Sequence, residues 1–196
     1  SMENPAANNS QKEIINKWLR ILFICQIISV IITALGAVSV ISNITGWISR
    51  IITLVVIYSL YKMTEINGRY RKAALFYGIA VAGSILSTLL HKSMFGMLMS
   101  ICSIVASYHE LNAHSEITAS QNAKLSRKWH SLFYYQMIVG LCSGFISSAG
   151  VVIGMLADIN QEAIISFALI ITTLVGTILS LFRVFYLKQT LTLFRD

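Results

Sequence analysis

Residues 73–108 read AALFYGIAVAGSILSTLLHKSMFGMLMSICSIVASY, and whether this run is one helix or two decides the fold. A single helix of that length would extend about 54 Å at 1.5 Å per residue, far beyond a hydrocarbon core of ~30 Å. The polar break at His91-Lys92-Ser93 resolves the conflict. It predicts a tight turn between two antiparallel membrane spans, 73–90 and 94–108.

Working outward, four more apolar runs appear at 18–42, 47–63, 129–156 and 163–187. A spanning helix needs about 20 predominantly apolar residues, so the chain is expected to cross a membrane six times. Composition agrees: 56% of the 196 residues are hydrophobic and 12% charged, against roughly 25% charged in soluble domains. Mean hydropathy is +0.71. No run of alternating ten-residue strands is present, so helices are the expected spanning element. The predicted fold is all-α: a polytopic integral membrane protein of six transmembrane helices arranged as three helical hairpins.

Charge gives the orientation. The connections 43–46, 91–93 and 157–162 are short and nearly free of basic residues. The other ends collect Lys12, Lys17, Arg20, Lys62, Arg69, Arg71, Lys72, Lys124, Arg127, Lys128, Lys188 and Arg195, twelve of the fifteen Lys and Arg residues. Cytoplasmic loops gather such residues, so both termini are expected in the cytoplasm, in a bacterial inner (plasma) membrane. Trp18 and Trp129 would mark the inner interface and Trp47 the outer one. The net charge of +7 then points to anionic lipid rather than nucleic acid, with Arg69, Arg71, Lys72, Arg127 and Lys128 as expected lipid-phosphate contacts.

Residues 1–16 read as a polar N-terminal tail, with Ser1-Met2 as a leftover of tag cleavage, and 17–196 as a single six-helix domain. The odd spans open with basic residues and a Leu-Phe pair (Leu22-Phe23, Leu75-Phe76, Leu132-Phe133). The even spans close on Tyr61, Tyr108 and Tyr186. This suggests a repeated hairpin. Small residues every fourth position in the last two spans, Gly140, Gly144 and Ser148, Gly150 and Gly154, and Thr172, Gly176 and Ser180, predict close helix packing there. Surfaces of this kind also suit a homo-oligomer or a partner membrane subunit.

Chemistry is sparse. Cys25, Cys102 and Cys142 lie in apolar runs without metal-ligand spacing, and no catalytic motif or paired carboxylate falls in a span. Neither a metal, a cofactor nor an enzyme activity is expected. No acid falls within the six runs, which argues against an intramembrane proton relay. His109, Glu110, His114 and Glu116 fall in the connection 109–128 and read as a solvated helix extension. Histidines five apart point about 140° away from each other on a helix. Within the cytoplasmic half, Gln26, Tyr58, Ser103, Gln136 and Arg183 lie at similar depth and could line a pocket for a small anionic or amide-bearing molecule. The competing reading makes them interhelical hydrogen bonds, with Arg183 snorkelling to lipid phosphate. The expected function is small-molecule binding or assisted transport, in a layout comparable to the vitamin-binding subunits of energy-coupling transporters, though no motif of theirs is present. A non-transporting scaffold or regulatory protein is the alternative, and an interfacial enzyme a distant third.

Overall fold

The computed structural model describes residues 5–36, 42–90, 95–157 and 161–195. Of the expected outer turns, residues 91–93 and 158–160 lie outside these residues, as do several side chains toward the far ends of α5 and α6, whereas the connection expected at 43–46 is helical, because α2 already starts at Ser42. Six helices and no strand occur among the described residues: α1 Pro5–Gly36, α2 Ser42–Lys62, α3 Gly68–Leu90, α4 Phe95–Ala119, α5 Ala123–Ala157 and α6 Gln161–Leu193. Four segments are long and apolar enough to cross a membrane: Asn9–Leu35, Ile44–Lys62, Gly68–Leu90 and Ile170–Leu193.

The single proline explains the length of these helices. Pro5 is the first residue of α1, where a missing N–H costs nothing, and no later proline interrupts a helix. Two asparagines end the runs where the chain must turn. Asn67 Oδ1 accepts from Arg69 N at 2.8 Å, and Asn122 Oδ1 accepts from Leu125 N at 2.9 Å. Each fills an otherwise orphaned donor at the start of α3 or α5.

Every helix packs against its neighbours in sequence, and α6 returns to α1, so the six close into a ring with α4 also touching α6. The α3–α4 and α5–α6 pairs are the most extensive. One end of the ring gathers the start of α1, both asparagine-capped turns and the end of α6. Asn16 Nδ2 donates to Phe194 O at 2.8 Å, and Ser115 Oγ to Ser126 O at 2.9 Å. This is where the basic residues collect, and it is called the basic end below. The opposite end, called the outer end below after the expected orientation, is tied by Arg50 Nη2, which donates to Thr88 Oγ1 at 2.7 Å.

The apolar core sits at the basic end, built from Leu19, Leu22, Leu60, Met63, Tyr70, Leu111, Leu125, Trp129, Leu132 and Leu187. Toward the outer end large apolar side chains face outward instead, among them Leu35, Leu89, Leu98, Phe145 and Phe167. An outward apolar surface this extensive is what a lipid solvent accepts and water does not.

Two expectations change. Residues 5–16 are helical and continue α1 rather than forming a separate tail. The connection expected at 109–128 shrinks to residues 120–122, because α4 runs on to Ala119 and α5 starts at Ala123. Apolarity ends near Tyr108, but the helix does not, since its next three turns find packing partners for Leu111, Ala113, His114 and Thr118.

Candidate functional site

That continuation of α4 builds a buried polar cluster. Tyr70 and Tyr77 are seven residues apart on α3, two turns along one face, while Glu110 and His114 are one turn apart on α4. The helices run antiparallel, so each tyrosine meets one partner. Tyr77 Oη donates to Glu110 Oε2 at 2.8 Å, and Tyr70 Oη lies 2.9 Å from His114 Nδ1. From α6, Arg183 forms an ion pair with Glu110. From α5, Trp129 lies against the His114 ring with centroids 4.7 Å apart and donates through Nε1 to Thr190 Oγ1 at 3.0 Å. Tyr70, His114, Trp129 and Thr190 are fully buried and Glu110 almost so.

Tyr70 can donate only if His114 Nδ1 accepts, which leaves the proton on Nε2. That atom is buried without a hydrogen-bond partner and faces Glu110 Oε1 across 3.6 Å. Burial alone would raise the Glu110 pKa; the Arg183 guanidinium, with His114 beside it, outweighs this and holds the carboxyl well below the usual carboxylate range. For His114 burial wins, and its pKa falls below the ordinary histidine value despite the carboxylate next to it. The cluster at rest is therefore one buried ion pair flanked by a neutral imidazole and two phenols.

Tyr77 belongs to a second feature as well. On its outer side it lines a cavity of about 740 Å³ between α2, α3 and α4, whose other walls include Ser49, Arg50, Thr53, Ala80, Val81, Ser84, Met99, Ser100, Ser103 and Ile104. Along α3, Tyr77 and Ser84 are roughly 10 Å apart by helical rise. The cavity thus reaches from the level of Arg50 down to a hydroxyl that already holds the buried carboxylate.

The five residues expected to line one pocket are placed as follows. Ser103 lines this cavity and Arg183 joins the cluster. Gln136 instead accepts a hydrogen bond from Ser107 Oγ at 3.2 Å. Tyr58 is half exposed, with its ring edge on Trp18 at 5.5 Å and the Lys62 ammonium over it at 5.4 Å. It lines a separate cavity of about 390 Å³ with Tyr61, Arg71 and Leu75. Gln26, partly buried on α1, lines neither the larger cavity nor the cluster. Arg183 does not snorkel outward: Glu110 draws it inward, because an ion pair satisfies a guanidinium better at that depth than a reach to the interface. For the same reason the stretch around Glu110 and His114 is a helix extension but not a solvated one. His109 and His114 do face different neighbours, Phe76 and Trp129.

Among the expected lipid-facing cations, Arg69 Nε donates to Glu116 Oε1 at 2.6 Å, where Asn67 Nδ2 also donates to Oε2 at 2.7 Å. Arg71, Lys72 and Arg127 are exposed, and Lys128 lies 5.6 Å over the Tyr186 ring. In the small-residue rows, a Cβ at Gly140 or Gly176 would meet nothing within 4 Å. Close approach between α5 and α6 is not made at those two positions. Gly150 is buried and Thr172 and Ser180 are partly so, while the side-chain surroundings of Gly144, Ser148 and Gly154 lie outside the described residues. A close approach without a sequence signal occurs at Gly83, where an added Cβ would lie 2.8 Å from Met99 Cγ.

Tyr70, Tyr77, Glu110, His114 and Trp129 form the cluster without having been expected there. The signal for them was periodic: Tyr at i and i+7 on one helix facing Glu and His at i and i+4 on the next. No family model, curated protein or solved structure matches the chain.

Proposed function

We propose that the protein is a six-span integral membrane protein, both termini cytoplasmic, that binds a small polar molecule between α2, α3 and α4 and assists its movement across a bacterial inner membrane. The reading is carried by one observation: an open, hydroxyl-lined cleft between α2, α3 and α4 whose floor, Tyr77, also holds the buried Glu110–Arg183 pair. Its volume falls within the ~300–1,000 Å³ usual for small-molecule sites. Occupation of the cavity would compete for the Tyr77 hydroxyl and so weaken the tie between α3, α4 and α6. That gives a physical route from binding to helix movement. Anionic lipid at the basic end is the expected partner on the cytoplasmic face.

The test fills the cavity. Native mass spectrometry of the purified protein should release a retained small molecule from wild type and not from Ser103→Leu, with expression of the two equal. Equal retention in both would remove the cavity from the argument. Reporter fusions at the C-terminus should be active only on the cytoplasmic side. A scaffold role is the second reading, favoured by the tightly packed basic end. It predicts no retained molecule and a phenotype for surface substitutions alone.

A further inference from the structure

The cavity's ligand class follows from which hydrogen-bonding groups face it. We infer that it takes a small anion of the carboxylate or phosphate class, anchored by Arg50; this rests on the binding role proposed above and specifies its ligand. The polar lining consists of one guanidinium and the hydroxyls of Ser49, Thr53, Ser84, Ser100 and Ser103 above the Tyr77 floor, with no carboxylate, amide or imidazole. A guanidinium can only donate, and hydroxyls can donate to any acceptor set before them. The hydroxyls of Ser49, Ser84 and Ser103 have no partner among the described residues, whereas Thr53 is occupied by Ser49 O at 2.8 Å.

Arg183 and Arg50 differ in the decisive respect. Arg183 has Glu110 as counter-charge. Arg50 has only the neutral Thr88 hydroxyl at 2.7 Å and the Trp47 ring, with its guanidinium carbon 4.5 Å from the centroid. No carboxylate pairs with it among the described residues, and α2 packs between α1 and α3. A guanidinium beside a cavity, with no carboxylate paired to it among the described residues, favours an anion from outside the chain. The N–H groups of Arg50 that Thr88 does not use retain the planar fork that matches a carboxylate or phosphate. The ring face of Trp47 holds that plane without competing for its donors.

Two sources could supply the anion, a soluble molecule or a lipid headgroup, and the experiment separates them. The full chain, purified in neutral detergent at constant ionic strength, is melted with millimolar acetate, inorganic phosphate or sorbitol. At these concentrations excluded-solute stabilisation is negligible. At about a hundredfold excess over Kd an anion should raise the Tm of wild type by roughly 5–10 °C. Arg50→Lys should keep part of the shift, Arg50→Gln should lose it, and sorbitol should have no effect. The same melts in nanodiscs of phosphatidylcholine with and without phosphatidylglycerol read the headgroup; an Arg50-dependent rise there alone makes the lipid the source. Anion shifts equal in wild type and Arg50→Gln would overturn the inference. A shift with sorbitol that Ser103→Leu removes, without any anion response, would overturn the anion class and leave the cavity's binding role standing. If neither soluble anions nor phosphatidylglycerol act through Arg50, the inference falls.

Discussion

The two ends of the ring are held by different physics. At the basic end, Leu19, Leu60, Leu111, Trp129 and Leu187 are sealed from solvent around the Glu110–Arg183 ion pair. Half a helix length away, Leu89 is 69% exposed and Phe145 76% exposed, and a cavity separates α2 from α4. Helices α1, α5 and α6 have 32 to 35 residues, about 48–52 Å by helical rise, so they outrun a ~30 Å hydrocarbon core by some 20 Å. On the placement proposed above the surplus stands in water at the basic end, where burial of apolar surface drives packing. Within lipid that drive vanishes, and neighbours are held only by close fit and polar contacts. On that placement the protein is a water-type core continuous with a membrane-type bundle, and the cavity lined by Arg50 and Tyr77 lies in the second.

This contrast is breakable at several points. The largest effect should come from Arg183→Leu, which leaves the buried Glu110 without its counter-charge; removing one member of a buried pair costs about 3–5 kcal/mol, measurable as lost resistance to sodium dodecyl sulfate. Pairing it with Glu110→Leu should recover much of the loss, and a double variant no better than the single would mean that the ion pair is not what binds α4 to α6. Acid should act next. The folded protein holds Glu110 ionised and His114 neutral where the unfolded chain would take up protons. Stability should thus be full above the ordinary histidine value of 6.5 and fall as pH drops below it, then further through the ordinary carboxylate value of 4.5. His114→Gln should flatten the first step in a pH series of melts. Tyr70→Phe removes one buried hydroxyl and leaves Nδ1 unpaired, for a cost of about 1–3 kcal/mol. Smallest of all, Leu174→Ala, on a side chain that is largely exposed, should change stability by less than about 0.5 kcal/mol. A cost comparable with that of Tyr70→Phe would show Leu174 covered by another subunit.

Helical content, the long apolar segments and the gathering of cations at one end were all legible, because apolar runs and charge positions report directly on solvent. The cluster was not. Glu110 was read as lying beyond the membrane, and therefore wet, because hydropathy falls after Tyr108; hydropathy says where apolarity stops, not where packing stops. Polarity at depth singles out Ser103 and Arg183, but depth alone cannot say which way round the ring a side chain faces. Gln26, Tyr58 and Gln136 share that depth and point elsewhere. The Gly140 and Gly176 spacing misled similarly, since a row of small residues permits close approach without requiring it, while Gly83 makes such an approach with no repeat to announce it.

The register between α3 and α4 has a mechanical meaning. Tyr70 and Tyr77 engage His114 and Glu110 like two teeth on one rack, so sliding one helix along the other by a single residue would strip both at once. Piston motion is thereby blocked, and tilting is left. With the teeth near one end of α3 and some 30 Å of helix beyond Tyr70, a tilt of about 5° would part the far tips by roughly 2–3 Å. Such a tilt would act first on the close approach of Gly83 to Met99 and on the α3 and α4 walls of the cavity.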